Sequence, residues 1–132
     1  MNPILRSLLN RVFGDRGERV AAAFLKRQGL RVIARNYRVA AGEIDLIARD
    51  GDVLVFVEVK ARRRGLPAEA VTTEKQRRLT LAALHYLKRH RLLECRCRFD
   101  VVSVLWPDDD GEPIVEHYRN AFEPPGRWQM FC

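Results

Sequence analysis

Asp45, Glu58 and Lys60 stand in a stretch that is otherwise strongly apolar, GEIDLIARDGDVLVFVEVK from Gly42 to Lys60. An ionised carboxylate drawn into an apolar interior is costly unless it is paired or bound to a metal. Two acids converging at the end of such a strand make an oxygen-rich site for a hard divalent cation, and Mg²⁺ typically takes one or two carboxylates with waters and substrate phosphate oxygens. The carbonyl of Val59, between the two charged positions, is a further candidate ligand. Lys60 would lower the pKa of a nearby water or stabilise the charge that builds on a phosphate. The set suits hydrolysis of a phosphodiester, with Mg²⁺ or Mn²⁺ as cofactor.

The elements around these residues must bring them together. Val53 to Lys60 and Glu43 to Arg49 are rich in Val and Ile and are separated by Asp50-Gly51-Asp52, so they read as a hairpin. Side chains alternate along a strand, which puts Glu58 and Lys60 on one face with Leu54 and Phe56. With an even hairpin loop, Asp45 falls on that same face, within about 5 to 8 Å of its neighbours. An odd loop without a bulge would separate them. Leu30 to Ala40 reads as a preceding strand, Asp15 to Gly29 as a first long helix, and MNPILRSLLNRVFG as a separate short helix. Thr73 followed by Gln76 reads as a capping box opening a second helix to about His90. Arg98 to Trp106 and then PIVEHYRNAF read as a fourth strand and an edge strand. The resulting order is an α/β domain, αβββαβ at its core, with a mixed central sheet flanked by helices. The tail from residue 121 to 132 reads as irregular, and the chain from 1 to 132 as a single domain.

Simpler roles also fit these residues. Glu58 and Lys60 suit a fraying strand end, and Asp45 with Lys60 a structural ion pair of little net stability. Arg62, Arg63 and Arg64 leave the active strand well placed to grip phosphates, though a solvated loop would look the same. Lys75 shares the inward stripe of the second helix with Leu79 and is a candidate to reach the site. His85, His90, Cys95 and Cys97 lack the spacings of a zinc site, and Asp108 to Asp110 lack those of a calcium loop. No phosphate-loop motif occurs.

The chain has 132 residues, 47% of them hydrophobic, and a formal charge of +7. That balance favours a polyanion such as DNA as partner. No apolar run is long enough to span a membrane. Three cysteines, an odd count, suggest a reducing, cytoplasmic setting and free thiols.

Asp45, then Glu58-Val59-Lys60, after a helix bearing Glu18, resembles the PD-(D/E)XK nuclease motif in the arrangement of archaeal Holliday-junction resolvases. ARNYR at 34 to 38, GEIDLIA at 42 to 48, VFVEVKAR at 55 to 62 and RFDVV at 98 to 102 are similar to the YraN-like family of small bacterial proteins. The likeness covers about Gly17 to Val104 and implies a restriction-endonuclease-like fold. It implies that Asp45 and Glu58 are metal-binding acids, Lys60 the motif lysine and Glu18 an accessory ligand of the metal or its waters. Ile44 stands where the motif name has Pro. From the residues alone, Glu18 borders the packed side of its helix and is also explained by the helix dipole. Glu43 has the right parity but lies nearer the outer edge. The expected activity is a metal-dependent endonuclease acting on DNA, branched or structured DNA included, and the resolvase likeness leaves a homodimer open. The alternative is a nucleic-acid-binding or scaffold protein that keeps the fold without turnover.

Overall fold

The computed structural model describes residues 2–63, 71–108 and 111–124. Helix α1 (Pro3–Arg27) starts at Asn2, whose side-chain oxygen accepts from the Ile4 amide at 2.8 Å, with Pro3 in the first turn where its missing N–H is harmless. It runs without interruption through Gly14 and Asp15, where the sequence pattern predicts two helices. It ends as the glycine pattern requires. Gly29 takes φ 92°, its amide donates to Lys26, and the Leu30 amide donates to Leu25 at 3.0 Å, closing a Schellman motif.

Strands β1 (Arg31–Val39), β2 (Gly42–Asp50) and β3 (Val53–Arg63) follow, then helix α2 (Thr73–Arg89) and strands β4 (Cys97–Trp106) and β5 (Ile114–Tyr118). They form one five-stranded sheet in the order β1-β2-β3-β4-β5. Only β3 and β4 are parallel, and α2 makes the crossover between them; the other pairs are antiparallel. The mixed sheet flanked by helices agrees with the αβββαβ order read from the sequence, with β5 added at the edge.

Strand β3 is apolar on both sides because each side is covered. Val55 and Val57 pack in a core with Ala21, Ala22 and Leu25 of α1, while Leu54 and Phe56 pack with Leu79, Ala83 and Leu87 of α2. The cap of α2 differs from the expected one. Thr72, not Thr73, accepts from the Lys75 amide at 3.2 Å, and Gln76 donates to the Val71 carbonyl at 2.9 Å instead of returning to the cap. Cys95 is a free thiol but Cys97 is disulfide-bonded, so the expectation of free cysteines fails at Cys97.

Two glycines set how closely the helices approach the sheet. A Cβ on Gly17 would lie 2.6 Å from the Cβ of Ala61, and one on Gly42 would lie 2.2 Å from the carbonyl oxygen of Arg78. Both contacts fall beside the residues of interest, Gly17 next to Glu18 on α1 and Gly42 at the start of the strand that carries Asp45.

Candidate active site

Hairpin β2–β3 turns through Gly51 and Asp52, a loop of even length, and its register pairs Asp50 with Val53 up to Leu46 with Val57. Asp45 and Glu58 are the next residues along the two strands. Here the ladder stops and the Asp45 carboxylate takes over, its Oδ2 accepting from the Val59 amide at 2.8 Å. Residues that bond toward β4 are the even ones, as the Leu54 amide does to Arg96. Val59 therefore turns both its N–H and its C=O to the β2 side, because the two groups of one strand residue share an edge. That carbonyl is on the correct edge to act as the expected additional ligand.

The gap between the strands collects charge from both layers. Glu58 and Lys60 alternate with Val59 and Ala61, which pack toward α1, so the charged pair lies on the α2 face. Lys60 Nζ is 3.7 Å from Glu58 Oε1, and the two side chains are only 14% and 19% exposed. From the opposite layer, Glu18 on α1 comes close enough for the Asp45 charge and the Asn36 side chain to act on its acidity. Asp45 and Glu58 likewise act on each other's acidity. The expected single face thus becomes a seam through the sheet end, with Asp45 at its centre.

Burial is the main cause of the unusual acidities, and mutual repulsion is the next. Glu58 is pushed up to about 8 by burial and by the Asp45 charge, against the pull of Lys60 and Lys75. Glu18 is pushed up to about 7 by burial and by Asp45, while the Asn36 side chain pulls it back. Asp45 is raised by burial, with the Val59 amide opposing and the Glu43 charge adding to the rise. Burial and mutual repulsion thus favour the protonated form of each carboxylate, and a bound cation would oppose both.

Asp100 provides the contrast. It is fully buried, yet it accepts from Arg98 Nε at 3.0 Å and from the Asn120 amide at 2.9 Å, and His117 Nε2 lies 2.8 Å away. Its charge is compensated by side chains and backbone, as a structural acid requires. In the Glu18–Asp45–Glu58 group the Asp45 charge instead pushes up the pKa of both glutamates.

The donor set fits a hard cation: two carboxylates and a strand carbonyl, all oxygen, with Lys60 beside them. Among the described residues no three His, Cys, Asp or Glu side chains form a ready-made metal cage. Mg²⁺ seldom requires one, since waters and substrate oxygens complete its shell.

The remaining candidates divide. Arg62 and Arg63 are strand residues paired with Leu105 and Trp106, not loop residues. Arg62 shares the face of Glu58 and Lys60, and Arg63 lies on the other face. The Lys75 charge acts on Glu58 from the first turn of α2. Arg64 lies outside the described residues. Glu43 forms an exposed pair with Arg38 at 3.2 Å, at the outer edge as expected. Sequence reasoning misses Asn36 as a site residue. It takes φ 52° inside β1, a left-handed conformation that Asn tolerates better than most residues, and from there its side chain acts on the acidity of Glu18. An Asn within a strand, where that residue is depleted, is the available signal. No described helix is long and apolar enough to cross a membrane.

Comparison with known proteins agrees with the extent of the sequence motifs. A 53% identical relative over 117 residues is a UPF0102 protein of Symbiobacterium thermophilum, covering 86% of this chain and 98% of the relative. A UPF0102 protein of Rhodopirellula baltica is 52% identical over 123 residues, 89% of this chain and 74% of the relative. One from Geobacter sulfurreducens is 49% identical over 117 residues, 86% of this chain and 91% of the relative. The match to uncharacterised protein family UPF0102 spans residues 17–104, from the glycine that seats Glu18 to the strand beyond Asp100, and the chain belongs to that family.

Proposed function

We propose that the protein is a Mg²⁺- or Mn²⁺-dependent endonuclease that hydrolyses phosphodiester bonds in DNA, with branched or structured DNA as the substrate class. The observation that carries this reading is the seam at Asp45, where Glu18 and Glu58 meet it from opposite layers and Lys60 stands beside Glu58. Asp45 and Glu58, with the Val59 carbonyl, would hold the cation. When bound, the cation supplies Lewis acidity toward the phosphate and a more acidic water.

The chain's own groups do the rest. Lys60, 3.7 Å from Glu58, stabilises negative charge building on the phosphate and orients the attacking water. Glu18 holds Asp45 in place and offers an oxygen to the surrounding waters. Lys75 and Arg62 add positive charge on the same face, which grips the DNA backbone without reading bases.

The test is cleavage of labelled junction, flap, duplex and single-stranded DNA with Mg²⁺, Mn²⁺ or EDTA, beside Glu58→Gln. The expected result is metal-dependent cutting that the substitution abolishes while DNA binding persists. Identical products from parent and variant, or tight binding with no cutting of any substrate, would reject the reading and leave a DNA-binding or scaffold protein.

A further inference from the structure

Helix α2 covers β1–β3 and, through Phe99, the start of β4, while Ile114 and Tyr118 of β5 stay half exposed beside the seam. The register carries rows of side chains across this face: Glu58, Val101 and Tyr118 form one row, and Lys60, Ser103 and Glu116 the next. Next to the first row is a cavity of about 570 Å³, lined by Val71, Gln76, Val101, Tyr118, Arg119, Ala121 and Phe122. Val101 is the direct neighbour of Glu58, so the cavity begins one strand spacing, about 4.8 Å, from the candidate catalytic acid.

We propose that this cavity receives one unpaired nucleobase of the DNA strand that is cut, so that the substrate carries a single-stranded or unstacked nucleotide beside the scissile phosphate. The inference rests on the nuclease reading for the position of that phosphate.

Its physical basis is the shape and chemistry of the walls. The volume lies within the range of about 300–1,000 Å³ usual for small-ligand recesses, ample for one base. The lining combines the apolar, buried Val101 with two aromatic rings, Tyr118 and Phe122. Phe122 is held by stacking on Phe99, with centroids 5.1 Å apart and planes 28° apart. The Tyr118 hydroxyl donates to the Glu116 carboxylate, which fixes a ring that remains 50% exposed and free to stack. Gln76 has one amide hydrogen committed to the Val71 carbonyl. Its second hydrogen and its carbonyl oxygen suit the edge of a base. Arg119 is among the lining residues and supplies positive charge that suits a backbone phosphate. A base stacked inside a duplex cannot enter a recess of this kind. It must be unpaired or flipped first, and a strand that is already single costs the least to admit.

The experiment uses the full chain carrying Glu58→Gln, so that DNA is not cut, and a single-stranded oligonucleotide with one 2-aminopurine, titrated in EDTA at fixed salt beside the blunt duplex of the same sequence. The proposal expects tighter binding of the single strand and a change in 2-aminopurine fluorescence on binding. Adding Tyr118→Ala should weaken single-strand binding about tenfold, in line with the loss of one base–aromatic stack, and Tyr118→Phe should restore most of it. A melting curve of each variant confirms that it is folded. Equal affinity with and without the Tyr118 ring, or a preference for the blunt duplex, overturns the proposal. The two readings fail separately. Metal-dependent cutting by the parent with no Tyr118 effect removes the base pocket and keeps the nuclease. Single-strand binding that depends on Tyr118, with no cutting by the parent, removes the nuclease and keeps the pocket as a nucleotide-binding site.

Discussion

The Val59 amide donates to the Asp45 carboxylate at 2.8 Å, so a side chain occupies the place of a strand carbonyl where β2 and β3 part. Asp45 therefore has two separable duties, as an acceptor for the backbone and as a negative charge for the site. Asp45→Asn keeps an oxygen for Val59 and removes the charge. Its thermal midpoint should stay near that of the parent while metal-dependent cleavage is lost. Asp45→Ala leaves the Val59 amide without its acceptor and should cost about 1–3 kcal/mol in denaturant unfolding. Equal stability of the two variants would show that the bond to Val59 contributes nothing.

The raised acidities carry a prediction for pH. In the unfolded chain Glu58 and Glu18 titrate near 4.5, but folding pushes them up to about 8 and about 7. Between those limits the native protein holds protons that the unfolded chain has released, so stability must fall as pH rises through this window. The contribution is complete below the unfolded value and gone above the folded one. Melting of the metal-free protein should therefore drop by several degrees from about pH 5 to about pH 8.5, and Glu58→Gln should flatten much of that slope. Mg²⁺ should raise the midpoint more at the alkaline end, where the acids are free of protons to displace. A flat profile in the parent would contradict the buried acid cluster.

Much of this arrangement is legible in the sequence, for reasons of periodicity. The apolar alternation of β3 and the Asp-Gly-Asp turn determine which residues face which layer, and an even loop then brings Asp45 to Glu58. Periodicity cannot reveal that the ladder ends at Leu46 and Val57, because the end depends on the Asp45 side chain competing for the Val59 amide. Nor can it show that Glu18 arrives from the opposite layer. The passage of α1 through Gly14 and Asp15 is hidden for a related reason, since two poor helix formers in succession read as a break when tertiary packing is not visible. The cap at Thr72 rather than Thr73 is a one-residue ambiguity between identical side chains.

Gly17 links helix packing to the candidate chemistry. Its missing Cβ would stand 2.6 Å from Ala61 Cβ, and Ala61 follows Lys60 on β3. Gly17→Ala must push α1 off the sheet, with an overpacking cost of about 1–3 kcal/mol and Glu18 withdrawn from Asp45. Ala61→Gly removes the opposing methyl. The double variant should recover most of both stability and metal-dependent cleavage, whereas an additive loss in both measurements would show that the contact is not what limits the approach of α1.

Asn36 couples a left-handed backbone to the placement of Glu18, and the two effects can be separated by substitution. At φ 52° Gly is at ease, while a β-branched residue is strained. Asn36→Gly should keep the parent's thermal midpoint to within a few degrees. Asn36→Val should lose about 1–2 kcal/mol from backbone strain. Both variants lose the side-chain amide that pulls the Glu18 acidity back toward its ordinary range. Glu18 then holds its proton more firmly and is less firmly aimed at Asp45, so both variants should need more Mg²⁺ for half-maximal cleavage. Their affinity for DNA measured in EDTA should be unchanged, because Asn36 lies on β1, at the opposite edge of the sheet from β5. If Asn36→Gly cut DNA at the parent's Mg²⁺ requirement, the left-handed turn would serve only the path of β1, and Glu18 would be positioned by Asp45 alone.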